Sequence, residues 1–166
     1  MKKFIICILA LTLLISFESR EPSLIVKARV NRSFDTIWRG GIKVKIFDVN
    51  LSVINRTKNN LRFWTMTCSW MDTWTTNNTD YRFRGCDCDA NFPKEFLVSP
   101  NDSISYHGQI IKRNENSQNK ANDKVRLGLI LIDTTADHIF FPEWRKLIDN
   151  KRKQGKIIWS NSLHQN

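Results

Sequence analysis

Cys68, Cys86 and Cys88 carry the most reactive side chains of the sequence outside its first twenty residues. Two chemistries suit them. In an oxidising compartment, Cys68 pairs with Cys86 or Cys88, closing a loop of about 20 residues and leaving one thiol over. Cys86 is the preferred partner. Alternatively, the three thiols with His107 form a soft ligand set for zinc or copper(I). The Cys-x-Cys spacing differs from the Cys-x-x-Cys of most structural metal sites, so the disulfide is the first expectation and a metal-binding or thiol-redox protein the second. Asp80, Asp87 and Asp89 around these cysteines read as solvated loop carboxylates.

Catalysis finds little support. The histidines are His107, His138 and His164. A serine or cysteine nucleophile needs a base within hydrogen-bond reach and an acid to orient it. Asp137 and His138 are adjacent in the chain, which does not normally let them face each other. No Gly-x-Ser-x-Gly, His-Glu-x-x-His or phosphate-binding loop occurs. The expectation is a protein that is not an enzyme and needs no cofactor. The irregular segment 71–93, stapled by cysteine and bearing Trp74, Tyr81 and Phe83, is the expected binding site.

The first residues set the compartment. Lys2 and Lys3 precede an uncharged run from Phe4 to Phe17, the pattern of a secretory signal peptide. It is shorter than the roughly 20 apolar residues of a membrane span. The organisation expected is therefore a signal peptide over 1–19 and a single secreted or periplasmic domain over 20–166. Residues 1–19 hold two of the 26 basic and one of the 16 acidic residues, so the remainder keeps 24 against 15, a net charge of +9. That excess favours an anionic surface or an acidic envelope or extracellular protein as partner. The cations are scattered, without the interleaved aromatics of a nucleic-acid groove, so no nucleic acid is expected. A monomer is expected.

These residues must be held by strands. Residues 24–30 read as a first strand and 31–41, with Asn, Ser, Asp and paired glycines, as a turn. From Ile42 to Ile54 a long β run switches parity: Ile42, Val44 and Ile46, then Phe47, Val49, Leu51 and Val53. A bulge near 46–48 is the simplest cause. In "RFWTMTCSW" (62–70), Trp64, Met66, Cys68 and Trp70 alternate with Phe63, Thr65, Thr67 and Ser69, which predicts a strand with both tryptophans inward. Trp74 lies beyond it and is expected at the surface. Further strands are expected over 96–98, over 103–112 with Ile104, Tyr106 and Ile110 on one face, and over 125–132. Ile130 and Ile132 make the end of that last strand apolar on both sides, so something must cover it. The cover expected is a helix between Pro142 and Gly155, with Trp144, Leu147 and Ile148 on one face and Lys151, Arg152 and Lys153 at its negative end. The strand "KIIWS" closes the chain.

Asn31, Asn55, Asn77 and Asn101 each open an Asn-x-Ser/Thr triplet, which a chain so rich in asparagine contains by composition alone. One of these triplets belongs to a larger pattern. A strand ending in Asn55-Arg-Thr57, then a turn from Leu97 through Pro100 to Ser103 that starts another strand, resembles bacterial secreted immunoglobulin-like domains over residues 42–132. The resemblance is architectural and implies no activity. The fold class expected is all-β: an immunoglobulin-like β-sandwich of about seven or eight strands with one short C-terminal helix.

Overall fold

A computed structural model describes residues 23–38, 40–85, 88, 90–112 and 124–163. The signal peptide expected at 1–19, the third thiol Cys86 and the polar loop 113–123 lie outside the described residues. The described residues are all-β with one α-helix, as expected. In order, its elements are β1 (Leu24–Trp38), β2 (Ile42–Asn55), β3 (Leu61–Met66), β4 (Trp74–Thr76), β5 (Tyr81–Phe83), β6 (Pro93–Val98), β7 (Ser103–Lys112), β8 (Arg126–Ile130), α1 (Phe141–Lys153) and β9 (Ile157–Ser162). All pairings are antiparallel.

One layer has strand order β1-β2-β7-β5 and faces a second of order β4-β8-β9. Val26, Ala28, Phe47, Val49, Leu51, Val53, Tyr81 and Ile110 of the first meet Trp74, Leu127 and Leu129 of the second in one dry core. The pair β3-β6 extends the second layer, because the Trp64 amide donates to the Ile132 carbonyl just past β8. β3 and β4 thus both lie along the line of β8, separated by an excursion over 67–73 that contains a single 3-10 turn.

The parity switch in β2 has a different cause from the one expected. β2 runs without a bulge; its second half buries odd residues between the layers, and its first half buries Val44 and Ile46 on the opposite face beside Ile111. The bulge lies in β1, between Val30 and Arg32. β1 also continues to Trp38, through the segment read as a turn. The turn is closed by the Gly41 amide donating to the Trp38 carbonyl, and Gly40 and Gly41 have φ of 83° and 79°, a region open to glycine at no steric cost.

β8 shows why its end is apolar on both sides. Leu127 and Leu129 point into the main core, while Ile130 and Ile132 point outward under α1, against Trp144 and Ile148. The helix is the expected cover. Glu143 reaches back to the Phe140 amide at its start. At its end the Gly155 and Lys156 amides bond the Arg152 and Lys151 carbonyls, a Schellman closure with Gly155 at φ 67°.

The disulfide joins Cys68 to Cys88, correcting the preferred Cys68–Cys86 pairing. The reason lies in the returning chain. Asn91 Oδ1 accepts from the Cys68 and Ser69 amides, and the Thr67 amide donates to the Phe92 carbonyl. Asn91 and Phe92 therefore lie beside 67–69, with the Cys68 and Cys88 α-carbons 6.2 Å apart, inside the range a disulfide spans. Closing a loop with a sequence separation of 20 contributes at most about 3 kcal/mol in the chain-entropy model. Reductant should lower the urea midpoint of the native chain and leave that of Cys68→Ser unchanged. A non-reduced peptide map should yield the Cys68–Cys88 link.

Candidate binding face

The residues expected to bind lie in or against the main core. Trp74 is only 4% exposed and Tyr81 is equally buried, both in the main core. Phe83 is half-buried against Trp70 and Trp74. β4 and β5 are three-residue strands, one in each layer, so their aromatic side chains fill the space between layers rather than a loop surface. Trp70 is not on the strand with Trp64: the strand stops at Met66, and Trp70 sits in the 3-10 turn, its ring centroid 4.8 Å from that of Tyr106. Phe63, placed on the polar side by alternation, is buried against Phe96. These rings are packing. The proposed metal ligands are also dispersed in use. Cys68 and Cys88 are joined, and His107 Nδ1 lies 2.9 Å from Asn50 Oδ1 on the outer face of β7.

A different set of side chains is brought together by cross-strand register. On the outer face of the β1-β2-β7-β5 sheet, Arg32 stands opposite Asp48, and Asp48 opposite Gln109. Arg32 Nε donates to Asp48 Oδ2, and Gln109 Nε2 donates to Asp48 Oδ1 at 2.6 Å. Arg84, entering beside β7 from the end of β5, donates through Nη1 to Gln109 Oε1 at 2.6 Å. One carboxylate thus positions two guanidinium groups, directly and through an amide relay. Each guanidinium also lies over a ring: Arg32 at 5.5 Å from the Phe34 centroid and Arg84 at 5.2 Å from that of Trp38.

The electrostatics follow from burial. The Asp48 side chain is 4% exposed and that of Arg32 is 73% exposed. The hydrogen bond from Arg32 holds the Asp48 carboxyl below its ordinary value, against the opposing cost of burial, with Gln109 and the charges of Arg32 and His107 adding to it. Asp48 therefore stays ionised, and Arg32 uses only its Nε on it. The terminal nitrogens face solvent in the planar fork that matches carboxylate, sulfate or phosphate oxygens. The register places Lys27, Arg29 and Arg82 on the same face, and Asp48 is the acidic residue among them. Beside this cationic zone, toward the Gly40–Gly41 turn, lies an apolar patch of Phe34, Trp38 and Ile42 over buried Val44 and Ile46.

The sequence reading missed this face because it ended β1 at residue 30. Its one visible signal was the alternation Arg32, Phe34, Thr36, Trp38, which places a cation and two aromatics on one side of a strand.

No family model matches the chain, and neither a curated protein nor a solved structure shows similarity to it. No helix among the described residues is long and apolar enough to cross a membrane.

Proposed function

We propose that this is an exported, non-catalytic binding or accessory domain of immunoglobulin-like architecture, and that the outer face of its four-stranded sheet takes an anionic partner. The single observation that carries the reading is the fixed pair of guanidinium groups on Arg32 and Arg84, both oriented through the buried Asp48. A rigid donor array loses less entropy on binding than mobile surface lysines do. The basic leader with its apolar run and the Cys68–Cys88 disulfide support export.

The strand order supports the immunoglobulin-like assignment. An immunoglobulin sandwich pairs strands A-B-E-D in one sheet and C-F-G in the other. Lettered in chain order, β1, β2, β7 and β5 take the places of A, B, E and D. β3 continued by β4, then β8 and β9, take those of C, F and G. β6 is then an added edge beside β3.

The test uses immobilised heparin as a sulfated polyanion probe. Neutralising Arg32→Gln together with Arg84→Gln removes two charge-assisted contacts and should weaken binding about tenfold. The same charge change made on the helix, Arg152→Gln with Lys153→Gln, should alter it by less than about twofold if the sheet face is the site. Equal losses in the two double variants would reduce the interaction to net charge and defeat the proposal.

A further inference from the structure

The edge of β1 points to a second mode of recognition. Among the described residues β1 is the outermost strand of its sheet. The Ser23 carbonyl accepts from the Arg56 amide, so odd-numbered residues here turn their peptide groups toward β2. By alternation, Leu24, Val26 and Ala28 turn theirs outward. At Ala28 both outward groups are engaged by a single side chain of β9: the Ala28 amide donates to Asn161 Oδ1 and Asn161 Nδ2 donates to the Ala28 carbonyl, each at 2.9 Å. A carboxamide is the side-chain copy of a peptide group. The edge is thus already paired, at one residue, with an amide presented as a neighbouring strand would present it.

Beside that clamp a cleft of about 840 Å³ lies along Leu24, Val26 and Ala28 of β1 and is lined from β9 by Ile158 and Trp159. Lys27 and Arg29 line it from the outer face, with Asn50 and Ser52 behind them. The two cations recur at the strand period of two, so they flank the same side of anything lying along the edge. Two copies of the chain paired edge to edge would bring these charges together, which disfavours self-association.

We infer that the β1 edge accepts an extended acidic peptide as an added strand, bonded by its backbone to Leu24 and Val26 and by alternate carboxylates to Lys27 and Arg29. Backbone pairing supplies affinity and alternate side chains supply selectivity, as in strand addition generally. The occupant belongs to the anionic partners proposed above but is recognised at the strand edge, not by the Arg32–Arg84 pair.

The probe is a short synthetic peptide alternating glutamate with valine. It should shift the backbone amide resonances of Leu24 and Val26. A counterpart with lysine for glutamate should bind at least about tenfold more weakly. Lys27→Glu with Arg29→Glu should reverse that preference; both side chains are exposed, so the fold is expected to tolerate the change. The glutamate peptide N-methylated at alternate residues, unable to complete a ladder, should lose binding by at least about tenfold. Binding of the methylated peptide equal to that of its parent would overturn strand addition while leaving the anionic-partner reading standing. Absence of binding by the parent peptide would also overturn it. Failure of the Arg32–Arg84 test alone would remove the sheet-face reading without touching this one.

Discussion

Asn55→Ala is expected to destabilise the protein by about 4 kcal/mol, more than deletion of any surface contact. Asn55 ends β2 and is fully buried, with 0% exposure. Its Nδ2 donates to the carbonyls of Asn59 at 2.8 Å and Val98 at 2.9 Å, and its Oδ1 accepts from the Thr57 amide at 2.9 Å. Its own amide donates to the Asp102 carbonyl and its carbonyl accepts from the Asn101 amide. One residue therefore ties the end of β2, the 57–59 turn, the end of β6 and the turn before β7. Truncation leaves the Thr57 amide and the Val98 carbonyl without this side-chain partner, while the Asn59 carbonyl keeps the bond from Thr57 Oγ1; each unsatisfied buried group costs about 1–3 kcal/mol. Asn55→Asp keeps the acceptor for Thr57 and loses both donors, so it should not rescue. Urea unfolding of the two variants checks this. A cost below about 1 kcal/mol for alanine would mean that water replaces the side chain and that the junction is held elsewhere.

This junction was visible in the sequence as a pattern without a mechanism. The sequence sets the Asn55-Arg-Thr57 triplet and the Leu97–Ser103 turn side by side in one pattern without showing what joins them. The structure shows that they are one contact. The asparagine of the first bonds the backbone of the second, which is why the two occur together and why Asn55 is buried rather than presented at the surface. Burial periodicity was likewise legible where one face is wet and the other dry, as in β7 and the inward half of β2. It failed where both faces are covered. In β3, Phe63, Trp64, Thr65 and Met66 are all buried, so alternation carries no information about exposure. Three-residue strands failed for a different reason: β4 and β5 are shorter than any period that reveals them, and their rings read as loop aromatics.

The candidate face was illegible for a third reason. Asp48, Arg32 and Gln109 come from three strands of one sheet and Arg84 from just past a fourth, and only the pairing register makes them neighbours. Composition showed an excess of cations but no grouping. The bulge between Val30 and Arg32 is what brings the grouping about. It moves the outward set of β1 from odd to even residues, so Lys27 and Arg29 on one side and Arg32, Phe34 and Trp38 on the other share a face. Without the extra residue, Arg32 would turn inward over Phe47 and Asp48 would lose its charged partner. A single inserted position thus joins the cleft at β1 to the guanidinium pair on the same cationic surface.

Trp144→Ala should cost about 3–5 kcal/mol, an effect comparable to that of Asn55→Ala. Trp144 is 2% exposed and is the largest fully buried side chain among the described residues. It projects from α1 onto Trp64, Met66, Ile130, Ile132 and Ile139. A helix of 13 residues is marginal by itself in water, so α1 depends on this docked face more than on its caps. Removing the indole takes away most of the surface that docks it, and the helical signal in far-ultraviolet circular dichroism should fall together with the loss of stability. Trp144→Phe separates docking from polarity. The indole Nε1 is buried with no hydrogen-bond partner among the described residues, so phenylalanine gives up ring area without breaking a bond. It should cost no more than about 2 kcal/mol and keep the helix. If alanine and phenylalanine were equally damaging, the indole nitrogen would have to hold a partner, and packing alone would not be what keeps α1 on the sheet.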